Sequence, residues 1–189
     1  MSSAIITKRI TATSLHFKAK IAGVIYLFGV LTTAFVEIFV RGGLGVAGCL
    51  IAVLGMIAVT LLFVDGFTPV NRSLALLAAS FNLFGLVVEV LRLQPQGVNI
   101  AIVFDGFYCV LIGYLVFKST ILPRTLGTLT ALGGLGWITF LSPSLVNYLF
   151  PYNLAFGLLG VGALCLWFLI MSPNVQPGKK YVSTKEEWL

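Results

Sequence analysis

Long apolar runs separated by short polar breaks dominate the chain. A helix that crosses a bilayer needs about 20 mainly apolar residues, at about 1.5 Å rise each. Six runs fit that length or come near it: Ile21–Val40, Leu44–Val64, Leu74–Leu93, Val98–Phe117, Leu126–Leu141 and Leu154–Met171. The breaks carry turn-forming or charged residues: Arg41-Gly42-Gly43, Asp65-Gly66-Phe67-Thr68-Pro69, Gln94-Pro95-Gln96-Gly97, Leu122-Pro123-Arg124, and the stretch around Pro143 and Pro151. The fifth run is the shortest and is rich in glycine and threonine. In hydrocarbon every backbone N–H and C=O must be paired within the chain, and no alternating strand pattern of a barrel is present. The pattern therefore predicts an all-α fold, a polytopic transmembrane bundle of six helices. The first run has the basic front of a signal peptide, with Lys8, Arg9, Lys18 and Lys20. It is longer than the usual apolar core of about 7–15 residues and no small-residue cleavage site follows, so it reads as a retained span.

Composition narrows the class further. Hydrophobic residues make up 59% and charged residues 10% of the chain, with a mean hydropathy of +1.05. Soluble domains hold roughly 45–50% apolar and about 25% charged residues. Disordered chains are polar and charge-rich. Both classes are excluded. The net charge of +6 does not point to nucleic acid, because the cations stand at the ends of apolar runs, where they orient a membrane protein. One side collects the four cations before the first run, then Arg72, Lys118, Arg124, Lys179, Lys180 and Lys185; the other has only Arg41 and Arg92. That asymmetry predicts both termini in the cytoplasm. The expected organisation is a basic cytoplasmic segment over 1–20, a six-helix membrane domain over 21–171 and a polar cytoplasmic tail over 172–189, in a multi-pass protein of the cytoplasmic membrane.

Few side chains offer chemistry. Cys49, Cys109 and Cys165 each lie inside an apolar run and read as small apolar fillers, not a disulfide framework or a metal site. The single histidine, His16, precedes the first run, so no histidine-based dyad forms within the membrane. Gly133, Gly134 and Gly136, and Gly157, Gly160 and Gly162, resemble small-residue packing faces. None follows a strand or carries the partners of a phosphate loop, so no cofactor is expected.

The informative residues are three acids inside apolar runs: Glu37, Glu89 and Asp105. An ionisable group there is costly and usually faces a bundle interior or a cavity. The predicted topology puts all three in the outer half of the membrane. Arg41 follows Glu37 by four residues and Arg92 follows Glu89 by three, spacings that place each pair on one helix face. Tyr26 and Thr33 extend the Glu37 face. Asn82 extends the Glu89 face, with Gly85 allowing close approach, and Tyr108 and Cys109 fall on the Asp105 side. A ligand or proton pocket would then draw on Glu37, Arg41, Asn82, Glu89, Arg92, Asp105 and Tyr108. The plainer reading is that the Glu–Arg pairs snorkel to the interface and serve assembly. Three acids against two arginines leave one negative charge over, which suits a bound cation, a shared proton or an acid held neutral. The outer segment Ser142–Tyr152, with Asn147, Tyr148 and Tyr152, reads as an interfacial anchor or as a lid over that pocket.

The segments Ile21-Ala22-Gly23-Val24-Ile25-Tyr26-Leu27 with Glu37 through Arg41, Pro69-Val70-Asn71-Arg72 before Leu74-Ala75-Leu76-Leu77, and Leu122-Pro123-Arg124-Thr125-Leu126-Gly127 together resemble the landmarks of a family of small multi-spanning prokaryotic membrane proteins. That family is described only as a domain of unknown function. The resemblance implies a helical membrane bundle and no particular activity. Two features depart from it: the loop after the first helix shrinks to about Arg41–Gly43, and Tyr108 stands where many members carry a histidine before the cysteine.

Three functions follow as expectations. The first is binding or transport of a small lipophilic or cationic molecule in an outward-facing polar pocket. The second is a membrane enzyme acting on a lipid or isoprenoid-like substrate by acid catalysis, with Asp105 as the acid, Glu37 or Glu89 as its electrostatic partner and Arg92 as a headgroup anchor. The third is a non-catalytic accessory or assembly protein. The expected partners are membrane lipids, the small ligand and a second copy of the chain, with no nucleic acid.

Overall fold

The computed structural model describes residues 20–32, 35, 43–93, 98–119 and 122–170. Helices follow one another without a strand among the described residues. They are α1 (Lys20–Thr32), α2 (Gly43–Val90), α3 (Ile100–Lys118), α4 (Arg124–Ile138), α5 (Pro143–Leu149) and α6 (Tyr152–Ile170), with a 3-10 turn, Thr139–Leu141, after α4. Among the described residues, the six apolar runs read from the sequence fall on α1, on the two arms of α2, and on α3, α4 with its 3-10 turn, and α6.

The 48 residues of α2 are too many for one crossing. A straight helix of that length would reach about 72 Å, more than twice the hydrocarbon thickness of about 30 Å. The helix is broken at Asn71, whose φ of −162° and ψ of 105° are extended. A first arm (43–70) and a second arm (72–90) run back against each other. Across them the Asn82 side-chain amide donates to the Thr60 hydroxyl at 2.6 Å. These two residues stand at equal distances along the chain on either side of Asn71.

The turn is displaced from the Asp65–Pro69 break that glycine and proline suggest. The first arm continues through those residues as helix, and Thr68 Oγ1 donates back to the Val64 carbonyl. What ends the helix is the next capping residue. Asn71 Oδ1 accepts from the Leu74 amide at 3.1 Å, the bond of a helix N-cap, and so starts the second arm.

Small residues set the remaining approaches. A methyl on Gly113 of α3 would come within 2.6 Å of the Ala131 nitrogen and the Gly127 carbonyl oxygen of α4. One on Gly106 would come within 2.8 Å of the Gly134 carbonyl oxygen. On the other face of α4, one on Gly133 would come within 2.9 Å of Gly160 Cα on α6. The glycine faces expected on the fifth and sixth runs thus serve packing, with one exception: Gly162 meets nothing within 4 Å. Aromatic contacts tie α1, the first arm and α6 together. Phe63 packs edge-on against Tyr26 at 6.3 Å and tilted against Phe168 at 5.4 Å.

Outside this core the helices present large apolar side chains such as Leu54, Leu61, Phe84 and Leu166 to the surroundings, each more than half exposed. A soluble surface does not tolerate that much apolar area, whereas a lipid-facing one requires it. α2, α3 and α6 are each long and apolar enough to cross a membrane. The chain is a multi-pass helical membrane protein.

Candidate functional site

A cavity of about 480 Å³ opens among α1, both arms of α2, α3, α4 and α6. Its polar side chains come from segments far apart in sequence, and local geometry places each one.

Asp105 reaches the cavity because of Gly85. A methyl on Gly85 would stand 3.0 Å from Phe104 Cβ and 3.8 Å from the Asp105 nitrogen, so the second arm of α2 lies close against α3 here. One turn further along α3, the Cys109 thiol donates to Asp105 Oδ2 at 3.9 Å. Glu89 also lines the cavity. A carboxyl group in a largely apolar setting must be matched by a cation, a proton or hydrogen-bond donors.

Asn82 is buried, with 3% of its surface exposed, and its amide is held in one orientation. Thr60 Oγ1 donates to the Met56 carbonyl at 2.7 Å and accepts from Asn82 Nδ2 at 2.6 Å. The Asn82 carbonyl oxygen is therefore the end of the amide turned away from Thr60, on a residue that lines the cavity.

Two residues stand at the mouth. Asn99 caps α3, its Oδ1 accepting from the Ile102 amide at 3.3 Å. Arg92 follows the end of α2. The Leu93 amide bonds to the Val88 carbonyl at 3.1 Å and the Arg92 amide to the Glu89 carbonyl at 3.0 Å, the paired bonds of a Schellman ending. Glycine normally fills the left-handed position of that ending, yet here arginine takes it, with φ of 49°. The helical spacing expected to align Glu89 with Arg92 does not apply, because α2 stops at Val90. The turn nevertheless delivers Arg92 to the same cavity as Glu89.

Of the residues singled out in the sequence, Asn82, Glu89, Arg92 and Asp105 share this cavity, as does Tyr26. Glu37 and Arg41 lie outside the described residues. Tyr108 is buried, at 2% exposure, but not on the cavity wall, and its hydroxyl has no hydrogen-bond partner among the described residues. Asn147 and Tyr148 fall on α5, a short helix where a loop was expected, and Tyr152 begins α6. All three are exposed, Tyr148 to 85%, and none lines the cavity, so a lid role finds no support in this arrangement. Asn99, Cys49, Met56 and Trp137 line it without having been expected. Asn99 was detectable, since an asparagine after a Pro-Gly break and before an apolar run is a helix-start signal. Trp137 carries no such mark.

The cavity thus sets two carboxyl groups, a fixed amide and a guanidinium among apolar and aromatic walls. That suits the polar groups of a small amphipathic molecule. Among the described residues no three His, Cys, Asp or Glu side chains are grouped to hold a metal ion.

Residues 85–172, just under half of the chain, match the model of a family described as a domain of unknown function, DUF4386. The matched stretch runs from Gly85 through α6 and holds Glu89, Arg92 and Asp105, as well as the Leu122–Gly127 landmark. The resemblance read from the sequence and the family match agree on an uncharacterised family, and the apolar helices supply the membrane character. No curated protein and no solved structure matches the chain.

Proposed function

We propose that this helical membrane protein, which carries an uncharacterised domain from the end of α2 through α6, binds a small lipophilic or cationic molecule in the Asp105 cavity, for transport or for capture. The observation that carries the reading is that Asn82, Glu89 and Arg92, from the second arm of α2 and its end, line one cavity with Asp105 from α3. Its volume lies within the range of about 300–1,000 Å³ typical of small-molecule sites. The asymmetry of lysine and arginine supports a mouth, at Arg92 and Asn99, that faces away from the cytoplasm of a cytoplasmic-membrane protein.

The test is equilibrium binding of n-hexylamine to the protein in lipid nanodiscs, with protein-free nanodiscs as the baseline. The expected result is a saturable component that weakens about tenfold or more in Asp105→Asn, the loss of one charge-assisted contact. Thermal unfolding of the variant confirms that the fold is kept. Binding that never exceeds the baseline, or that is equal in the variant, overturns the reading. A second reading, an accessory protein whose polar groups specify packing alone, draws on the Asn82–Thr60 bond between the arms of α2. It expects Asp105→Asn to change stability and no binding property.

A further inference from the structure

The carboxyl groups of the cavity stand within helices, Glu89 before the end of α2 and Asp105 inside α3, whereas Arg92 and Asn99 stand at helix ends. Asp105 and Glu89 bring carboxyl oxygens. Asn82 brings a carbonyl oxygen, because one N–H of its amide goes to Thr60, whose own proton goes to Met56, and this turns the oxygen away from Thr60. Donors lie at the mouth. Arg92 carries only donors. Asn99 has its carbonyl oxygen committed to the Ile102 amide, which leaves its NH2 group as the end available to a ligand. Asp105 is six residues into the helix from Asn99, about 9 Å along the axis. Leu86 and Trp137 are among the other wall residues, and the buried indole N–H of Trp137, which has no hydrogen-bond partner among the described residues, is a further donor.

Resting on the proposed cation-binding role of this cavity, we infer that its ligand is a bifunctional amine. An ammonium group points inward to Asp105, Glu89 and Asn82, an apolar spacer lies along the walls, and a hydrogen-bond acceptor, carboxylate or amide carbonyl, meets Arg92 and Asn99. The conformation of Arg92 fits this role. A left-handed arginine costs the chain energy that a glycine at the same position would not. What the arginine adds there is a cation at the mouth.

The experiment is competition against n-hexylamine in nanodiscs, using 6-aminohexanoate, 6-aminohexanamide and hexanoate. At least one of the two bifunctional probes is expected to bind about tenfold tighter than hexylamine, and hexanoate weakest. Comparing the aminohexanoate with the aminohexanamide tells whether the outer group is charged or neutral. Two variants remove the mouth donors while respecting the backbone. Arg92→Gly fits the left-handed turn, and Asn99→Asp keeps the capping oxygen but replaces the NH2 group. In both, the advantage over hexylamine is expected to vanish. Hexylamine binding as tightly as the bifunctional probes, or an advantage that survives both variants, overturns this inference and leaves the cation-binding role standing. Loss of hexylamine binding itself in the unaltered protein removes both.

Discussion

The Asn82 amide nitrogen lies 2.6 Å from the Thr60 hydroxyl oxygen, joining the two arms of α2 at matched positions about their turn. This is a polar clasp between the two arms of the hairpin, and it fixes which end of the Asn82 amide is turned away from Thr60.

Thr60→Val keeps the shape of the side chain and removes the acceptor of that bond. A buried amide left without its partner costs about 1–3 kcal/mol, although interhelical bonds within membranes average nearer 0.6 kcal/mol. Thermal unfolding in detergent should show a loss of about 1 kcal/mol. Amine binding should weaken as well, because the Asn82 amide is then free to present its NH2 group to an ammonium. Unchanged binding in a folded Thr60→Val protein would contradict the assigned orientation.

Asn71→Ala should destabilise the protein by about 1 kcal/mol, the usual cost of an N-cap, and Asn71→Ser should recover most of it. Equilibrium unfolding checks both. An alanine variant as stable as the parent would mean that Asn71 only occupies the turn and does not set it.

These two positions mark how far the chain could be read before its structure. The apolar runs gave the helices, since hydrocarbon leaves the backbone few alternatives. The runs did not locate the hairpin turn. Gly66 and Pro69 are strong breakers in water, yet α2 runs through both and gives way at Asn71, where a side chain satisfies the Leu74 amide in the first turn of the next arm. The shared cavity of Asn82, Glu89 and Asp105 was legible because polar groups in apolar runs rarely face lipid. The position of Arg92 was not, because helical spacing was applied beyond the last helical residue. Tyr108 lies on the same helix as Asp105 but does not line the cavity, since helical periodicity groups neighbours without fixing where a cavity ends.

Arg92→Gly should raise stability by about 1 kcal/mol, because glycine adopts the left-handed position without the steric cost that an L side chain carries. It should at the same time abolish the preference for a ligand with an outer acceptor. Stability and binding moving in opposite directions is the signature of a residue kept for its charge. A fall in unfolding temperature would instead assign the guanidinium a structural contact.

Gly113→Ala should be strongly destabilising. Its methyl meets backbone atoms of α4, which yield only if the helices separate, and overpacking of this kind costs about 1–3 kcal/mol. Gly162→Ala is the control on the same chemistry. Nothing stands within 4 Å of the added methyl, so the variant should be neutral or slightly more stable. Equal effects at both positions would mean that helix propensity, and not close approach, decides the outcome.

Tyr108 offers the opposite kind of test. The side chain is buried and its hydroxyl finds no hydrogen-bond partner among the described residues, while the ring packs in the apolar core. Leaving a hydroxyl in such surroundings costs about 1–3 kcal/mol on protein scales. Tyr108→Phe removes that group and keeps the ring, so the protein should become more stable by about 1 kcal/mol. Because Tyr108 is absent from the cavity wall, amine affinity should not change. A Phe variant that loses stability would place a partner at the hydroxyl, and one that keeps its stability but loses binding would carry Tyr108 back to the site where its neighbourhood with Asp105 first suggested it belonged.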